Sequence, residues 1–154
     1  MATARPRGRP YGKAIVAAQR AATKLHSLVY RATDGRVGGR IFGSRVLLLT
    51  TTGRKSGRER TVPLLYLKDG EDLIVVGSNG GTATPPAWWL NLTENPEATV
   101  EVGGRKVHVW VEEAGSEEKE RLWPKLVKMY GGYEDYRRRT DREIPVVFLH
   151  PVSG

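Results

Sequence analysis

The chain has 154 residues, 39% hydrophobic and 27% charged, enough for one globular domain with its own core. It contains no cysteine, which excludes disulfides, thiolate nucleophiles and cysteine-ligated metals, and no apolar run near the roughly 18 residues of a membrane span. The net charge of +8 is uneven, with fourteen Lys/Arg against two Asp/Glu in residues 1–60 and eleven against fifteen in residues 61–154, which favours an anionic ligand or membrane face over nucleic acid.

Met1 to Pro10 is rich in Arg, Pro and Gly and reads as disordered. A helix follows from Tyr11 to about Arg31, with Lys13, Arg20, Lys24 and Arg31 on one side and Ile15, Ala18, Ala22, Leu25 and Val29 on the other. Such a basic amphipathic helix either packs its Leu/Val side on the main domain or rests on anionic lipid. No apolar stretch with a cleavage site marks a secretory signal, so the expected location is the cytoplasm, with peripheral contact to the inner face of the cell membrane through residues 11–31 if the helix takes lipid. Residues 1–43 thus form a basic tail and helix ending in a glycine-rich connector, ahead of a main domain over residues 44–154.

The densest signal lies between Leu47 and Leu65. Strands are expected over Val46–Thr52 and Thr61–Lys68, with Pro63 marking an edge or a bulge. Between them Gly53 and Gly57 permit a tight turn carrying Arg54, Lys55, Arg58 and Arg60, and Ser56 adds a hydroxyl to the backbone donors. A phosphate or carboxylate suits that set. The loop is not of the Walker A type, because Arg54 precedes Lys55 where that motif needs its second glycine.

The turn Lys68-Asp69-Gly70-Glu71 leads to a returning strand, Asp72 to Ser78. Ser78-Asn79-Gly80-Gly81 then allows close backbone approach to a flat ring, with Ser78 as a partner for a ring heteroatom and Trp88 or Trp89 as a wall. Pro85-Pro86 opens a short helix that stops before Pro96. Ala98–Val102 and Lys106–Glu113 form a hairpin in which Val107, Val109 and Val111 alternate with His108 and Trp110, so one face is buried. Ser116 is expected to cap a helix toward Tyr130, kinked or broken at Pro124. A short segment with Tyr133 and Tyr136 and a last strand, Ile144–His150, complete the chain. Six strands in hairpins, with inserted helices and no βαβ alternation, predict a mainly β (α+β) fold built on a small antiparallel barrel.

His26, His108 and His150 lack metal-ligand spacing, so no metal site is expected, and neither HExxH nor GxSxG occurs. Side chains so equipped point to a borrowed cofactor for any hard chemical step.

Three stretches, LLLTTTGRKSGRERTVPLLYL, SNGG with PAWWLNLTENP, and WPKLVKMYGGYEDYRRRTDREIPVVFL, together resemble the deazaflavin-dependent nitroreductase family over residues 44–151. The resemblance implies a six-stranded split β-barrel that binds coenzyme F420, a deazaflavin hydride carrier. Carried over by residue, it implies that Arg54, Lys55, Ser56, Gly57 and Arg60 receive the cofactor's phosphate and acidic tail. Pro63 and Leu64 would contact the ring, Val76, Ser78, Asn79, Gly80 and Gly81 its far edge, and Trp88 and Asn91 would close that side. Tyr130, Tyr133 and Tyr136 match substrate-side tyrosines, whereas Asn79 stands where some relatives place a basic residue. The implied activity is hydride transfer from reduced coenzyme F420 to a quinone, an enone or a nitroaromatic compound. The alternatives are an FMN-binding split-barrel oxidoreductase, a deazaflavin carrier without turnover, and a module for anionic membranes. A monomer or weak homodimer is expected.

Overall fold

Period-two alternation builds the sheet, and two chain segments seen from outside it decide which faces stay dry. The computed structural model describes residues 13–32, 40–41, 44–79 and 84–152. Its elements are α1 (Lys13–Ala32), β1 (Arg40–Ile41), β2 (Ser44–Thr52), β3 (Glu59–Leu65), β4 (Leu67–Asp69), β5 (Asp72–Val76), α2 (Ala87–Glu94), β6 (Glu97–Val102), β7 (Arg105–Glu113), α3 (Ser116–Met129), α4 (Gly132–Arg139) and β8 (Val146–Pro151). The tail Met1–Pro10 and most of the connector before Ser44 lie outside the described residues.

The strands pair antiparallel in the order β1-β2-β6-β7-β8-β5-β4, with β3 on the opposite side of β2. β3 and β4 therefore sit at the two edges, yet only Tyr66 separates them in the chain. The sheet must curl until its edges approach, which makes the split barrel. This is also why one strand was expected over residues 61–68 where two occur. Leu65 pairs with Val46 of β2, and Leu67 already pairs with Ile74 of β5. At the corner Tyr66 donates its N–H to the Arg45 carbonyl at 3.1 Å and buries its ring in the barrel. That division, with the short β1, gives eight described strands instead of six. Pro63 lies in β3, which pairs only with β2, so its missing N–H costs no ladder bond toward a second neighbour.

Leu47, Leu49, Val75, Val100, Val109, Val111, Val147 and Leu149 point into the barrel, closed by Trp88 and Leu92 of α2. On the outside, Ile74, Val76, Val146 and Phe148 pack on Leu122, Trp123 and Leu126 of α3 and Tyr133 of α4. Val46 and Leu48 pack outward on Tyr30 of α1. Strands β2, β5 and β8 are thus buried on both faces and read as unbroken apolar runs. On β7, by contrast, His108 and Trp110 face solvent as the alternation requires.

Two helices depart from expectation. Of the apolar side read for α1, Ala18, Ala22 and Leu25 are exposed and Val29 is half-buried; Leu28, outside that set, is exposed as well, whereas Ser27 and Tyr30 are buried. The last turn sets this rotation. The Tyr30 hydroxyl accepts from Gly103 N at 3.0 Å and donates to the Glu101 carbonyl at 3.2 Å, while Arg31 pairs with the Glu101 carboxylate at 2.9 Å. Helix α3 runs unbroken through Pro124, and Ser116 is its first residue, with Gly115 at the cap and no side-chain capping bond. Pro124 and Glu120 are both exposed, so the Glu120 carbonyl that lacks its helical partner can be met by water.

Antiparallel order fixes which connections share a rim. Strands β2, β7 and β5 run one way and β3, β6 and β8 the other. The loop after β2, the turn after β5, helix α2 and the α3–α4 excursion before β8 therefore all emerge at one end. The other end carries the tight turns at Gly70 and Gly103–Gly104, all with positive φ.

Candidate functional site

The rim with the longer connections gathers the residues singled out in the sequence. Its first part is the loop from Gly53 to Arg58, closed by Gly53 N–H donating to Arg58 O and Gly57 N–H to Gly53 O, both at 2.8 Å. Gly57 has φ of 69°, a conformation a side chain would strain. The Ser56 hydroxyl oxygen accepts from Arg58 N at 3.2 Å, so it braces the loop from within. Arg54, Lys55, Ser56, Gly57, Arg58 and Arg60 are all exposed. No ion pair to Lys55, Arg58 or Arg60 occurs among the described residues. The loop therefore presents a positive field with no carboxylate paired to these three cations.

A buried polar anchor from α2 holds that loop. Asn91 is 4% exposed, and its Oδ1 accepts from Arg54 N at 3.1 Å and from Arg54 Nη1 at 3.3 Å. Its Nδ2 donates to Thr51 Oγ1 at 3.1 Å, and Thr51 is itself buried. Both polar atoms of the Asn91 amide are thus engaged with protein, beneath the loop. Trp88, one turn earlier in α2, is 6% exposed and belongs to the barrel core, with Trp89 set edge-on at 6.4 Å between ring centroids. Leu64 of β3 packs on the same cluster, whereas the half-buried Pro63 pairs with the outward-packed Leu48 and stands on the other face of β3.

The second part is the chain leaving β5. Gly77 donates its N–H to the Pro145 carbonyl at 2.9 Å, and a Cβ at Gly77 would lie 2.7 Å from Pro145 Cγ. Arg142 donates Nη1 to the Gly77 carbonyl at 3.1 Å and Nη2 to the Ser78 carbonyl at 2.7 Å. Ser78 is buried, and Asn79 has φ of 44°, in the left-handed region that Asn tolerates best among non-glycines. The Asn79 Nδ2 donates to the Thr84 carbonyl at 2.9 Å. Gly80 and Gly81 lie outside the described residues.

The third part is the tyrosine set on the outer face of β5, around Val76. Tyr130 and Tyr133 meet edge to face at 5.0 Å, and the Tyr130 and Tyr136 hydroxyls share a hydrogen bond of 2.7 Å. Tyr130 and Tyr136 are half-buried, while the Tyr133 ring is buried among Val76, Trp123 and Ile144. Tyr133 is 5% exposed, and its hydroxyl makes no hydrogen bond to a described residue. Burial, reinforced by the neighbouring Tyr130 and Tyr136, pushes the Tyr133 phenol well above its ordinary value. It is a proton-bearing donor at any neutral pH.

The candidate residues fall on two sides of the end of β5: the loop, Leu64, Trp88 and Asn91 on the barrel side, Val76 and the tyrosines on the outer side. A cavity of about 290 Å³ lies elsewhere, lined by Tyr30, Arg31, Glu59, Glu101, Gly104 and Lys106. Mixed in charge and set against α1, it contains none of the candidates. The histidines stay apart, and among the described residues no three His, Cys, Asp or Glu side chains converge as metal ligands. Two residues that position the site escape sequence reasoning. Thr51 was legible in principle, two places beyond the inward-facing Leu49, whereas nothing in the run TDRE marks Arg142 as a clamp.

Comparison with known proteins identifies the family. The sequence profile of the family described as F420H(2)-dependent quinone reductase matches residues 22–151. An F420H(2)-dependent quinone reductase of Mycobacterium tuberculosis is 38% identical over 130 residues, covering 82% of this chain and 87% of the relative. Among solved structures, an F420-H2 dependent reductase, FDR-A, superposes with a TM-score of 0.63 at 36% identity, over 68% of this chain and 93% of that one. A domain-swapped dimer superposes with a TM-score of 0.66 at 32% identity, over 89% and 98%.

Proposed function

Because this chain belongs to the F420H(2)-dependent quinone reductase family and takes coenzyme F420 as its cofactor, we propose that it reduces quinones, and enones or nitroaromatic compounds as further acceptors, with the cofactor's tail in the Gly53–Arg60 loop. The observation that carries this reading is the loop itself: exposed Arg54, Lys55, Arg58 and Arg60 on a frame fixed by Asn91 and Thr51, at the rim where α2 closes the apolar barrel with Trp88 and Leu92. Cations on a fixed frame fit the anionic tail of the cofactor.

When bound, the reduced cofactor supplies a hydride to the electrophilic atom of the acceptor. The chain's own contribution is placement. Arg54, Lys55 and Arg60 hold the anionic tail, with Ser56 and Gly57 shaping the turn. Pro63, Leu64, Trp88 and the segment Val76 to Gly81 border the ring, with Ser78 beside a ring heteroatom, and Asn91 acts through Arg54. Tyr133, protonated at neutral pH and without a hydrogen bond to a described residue, would donate to the acceptor oxygen that gains charge, with Tyr130 and Tyr136 beside it. The test is a fluorescence titration with oxidised coenzyme F420 beside FMN, followed by quinone turnover with the reduced cofactor. Saturable binding of FMN alone would refute the assignment.

A second, compatible reading concerns α1. Its exposed Leu25 and Leu28 lie on the side away from Ser27 and Tyr30, flanked by exposed Arg20 and Lys24. We propose that residues 11–31 rest on an anionic membrane surface, where a quinone acceptor partitions. No described helix is long and apolar enough to cross a membrane. Removing residues 1–31 should abolish liposome binding, and unchanged binding would refute it.

A further inference from the structure

We propose that Glu134 is a positioning residue for the acceptor side: accepting the indole N–H of Trp123, its carboxylate fixes how helix α4 sits on α3, and thereby where the Tyr133 hydroxyl stands. The inference rests on the reading of Tyr133 as the donor to the acceptor oxygen.

Helix α4 brings little stability of its own. It has eight residues, and an isolated helix of about two turns does not persist in water. Its cap, Gly131, supplies no side-chain bond, and of its residues only Tyr133 is buried. The rest of the segment GYEDYRRR is polar or small, so one ring carries its apolar anchorage. That ring belongs to the cluster of Val76, Trp123 and Ile144. Apolar burial is non-directional, so it keeps the ring in place without fixing the turn of the helix about its axis.

The directional contact is polar. Trp123 of α3 is 8% exposed, and its Nε1 donates to Glu134 Oε2 at 2.7 Å. The other carboxylate oxygen takes Arg137, one turn on, and the Arg137 guanidinium lies over the Trp123 ring, 5.1 Å from its centre. One indole is thus held at its edge by Glu134 and at its face by Arg137, and the two holders are paired with each other. Hydrogen bonds to an ionised acceptor are among the stronger ones. The Trp123 bond, helped by Arg137, holds the Glu134 carboxyl below its ordinary range, so the clamp keeps its charge at neutral pH.

Glu134 follows Tyr133 directly in the chain, and successive helical side chains diverge by about 100°. The two therefore hold α4 on adjoining sides, one by packing and one by direction. A reacting group misplaced by about 1 Å can lose about a hundredfold in rate. The bond that fixes α4 accordingly acts on turnover, and not on the cofactor's tail, which the cationic loop takes on the barrel side.

The experiment is a double-mutant cycle on quinone turnover with reduced coenzyme F420, pairing Glu134→Ala with Tyr133→Phe, with the coenzyme F420 affinity of each protein titrated alongside. Glu134→Ala is expected to lower kcat about fivefold in the wild-type background and by less than about twofold in Tyr133→Phe, at unchanged cofactor affinity in both. Glu134→Gln, whose amide oxygen still accepts from the indole, should recover most of that loss. A merely structural role would give the same loss in both backgrounds, and that result, or wild-type turnover in Glu134→Ala, would overturn the proposal. If Glu134→Ala does not fold, Trp123→Phe, which deletes the indole N–H, takes its place in the cycle under the same criteria. Wild-type turnover in Tyr133→Phe would overturn the reading of Tyr133 as the donor and the proposal with it, an outcome distinct from the others.

Discussion

Asn91 offers the sharpest test, because its two exchanges separate what holds the cationic loop from what the loop holds. In Asn91→Ala the Arg54 N–H and the Thr51 hydroxyl both lose their partner in a site where Asn91 is 4% exposed. Each costs about 1 kcal/mol, the void left by the amide adds about 1 kcal/mol, and the Arg54 guanidinium, being exposed, turns to water at little cost. The sum is about 3 kcal/mol. In a domain of 154 residues that lowers the melting temperature by roughly 6–12 °C. Asn91→Asp is isosteric, still accepts from Arg54, and lets the Thr51 hydroxyl rotate to donate, so it should melt within a few degrees of wild type. It also sets a carboxylate under the loop. A charge about 8 Å from a bound phosphate at an effective dielectric of about 40 costs about 1 kcal/mol, or roughly fivefold in cofactor affinity, relieved by salt. Thermal melts and fluorescence titration at two salt concentrations read both. Wild-type melting of Asn91→Ala, or wild-type affinity of Asn91→Asp at low salt, would refute the reasoning.

Lys55→Ala should weaken coenzyme F420 binding several-fold at low ionic strength and much less at high salt, as titrations across a salt series would report; a salt-independent loss points to a contact other than charge. Tyr133→Phe removes a hydroxyl that bonds no described residue, so melting should shift little while quinone turnover falls about tenfold at unchanged cofactor affinity. An equal loss of cofactor binding would take Tyr133 away from the acceptor side. Gly77→Ala drives a methyl to 2.7 Å from Pro145 Cγ and should cost about 1–3 kcal/mol in a denaturant melt; full stability would mean that the 140–145 segment is loosely held. Tyr30→Phe breaks the bonds to Gly103 N and Glu101 O and should cost about 1–2 kcal/mol without touching cofactor affinity.

The sequence made the barrel legible wherever one face is wet and the other dry, as in Val107 to Val111 against His108 and Trp110. It also marked the loop, since glycines, cations and flanking strands coincide there. It misjudged the corner at Tyr66, because the residues on either side keep the same alternation while their partners change from β2 to β5. Pro124 misled for a different reason: helix-breaking is a penalty on one carbonyl, and an exposed turn lets water cancel most of it. Asn91 was singled out as a residue that closes the ring side, and its amide is engaged with Arg54 and Thr51. A side chain's type gives its bonding capacity, but only the fold says which neighbour uses it.

The rotation of α1 carries the same lesson into function. Amphipathic analysis assumes that the apolar side seeks the core, yet burying Leu25 would have cost the pair of bonds at Tyr30 and the Arg31–Glu101 pairing that tie the helix end to β6. Those bonds sit at the partly buried end, where an unmet hydroxyl or N–H is expensive, whereas an exposed leucine forgoes about 2 kcal/mol or less of burial. The helix therefore docks through its polar stripe and leaves its leucines outward beside Arg20 and Lys24. An apolar stripe bordered by cations and facing away from the barrel is what an anionic interface would cover. The rim proposed to accept the quinone and that stripe belong to one chain, and whether one membrane serves both is decided by measuring turnover of a lipid-dissolved quinone with and without residues 1–31. Equal rates would separate the two surfaces, and a selective loss with the lipid-dissolved acceptor, at unchanged rate with a water-soluble one, would join them.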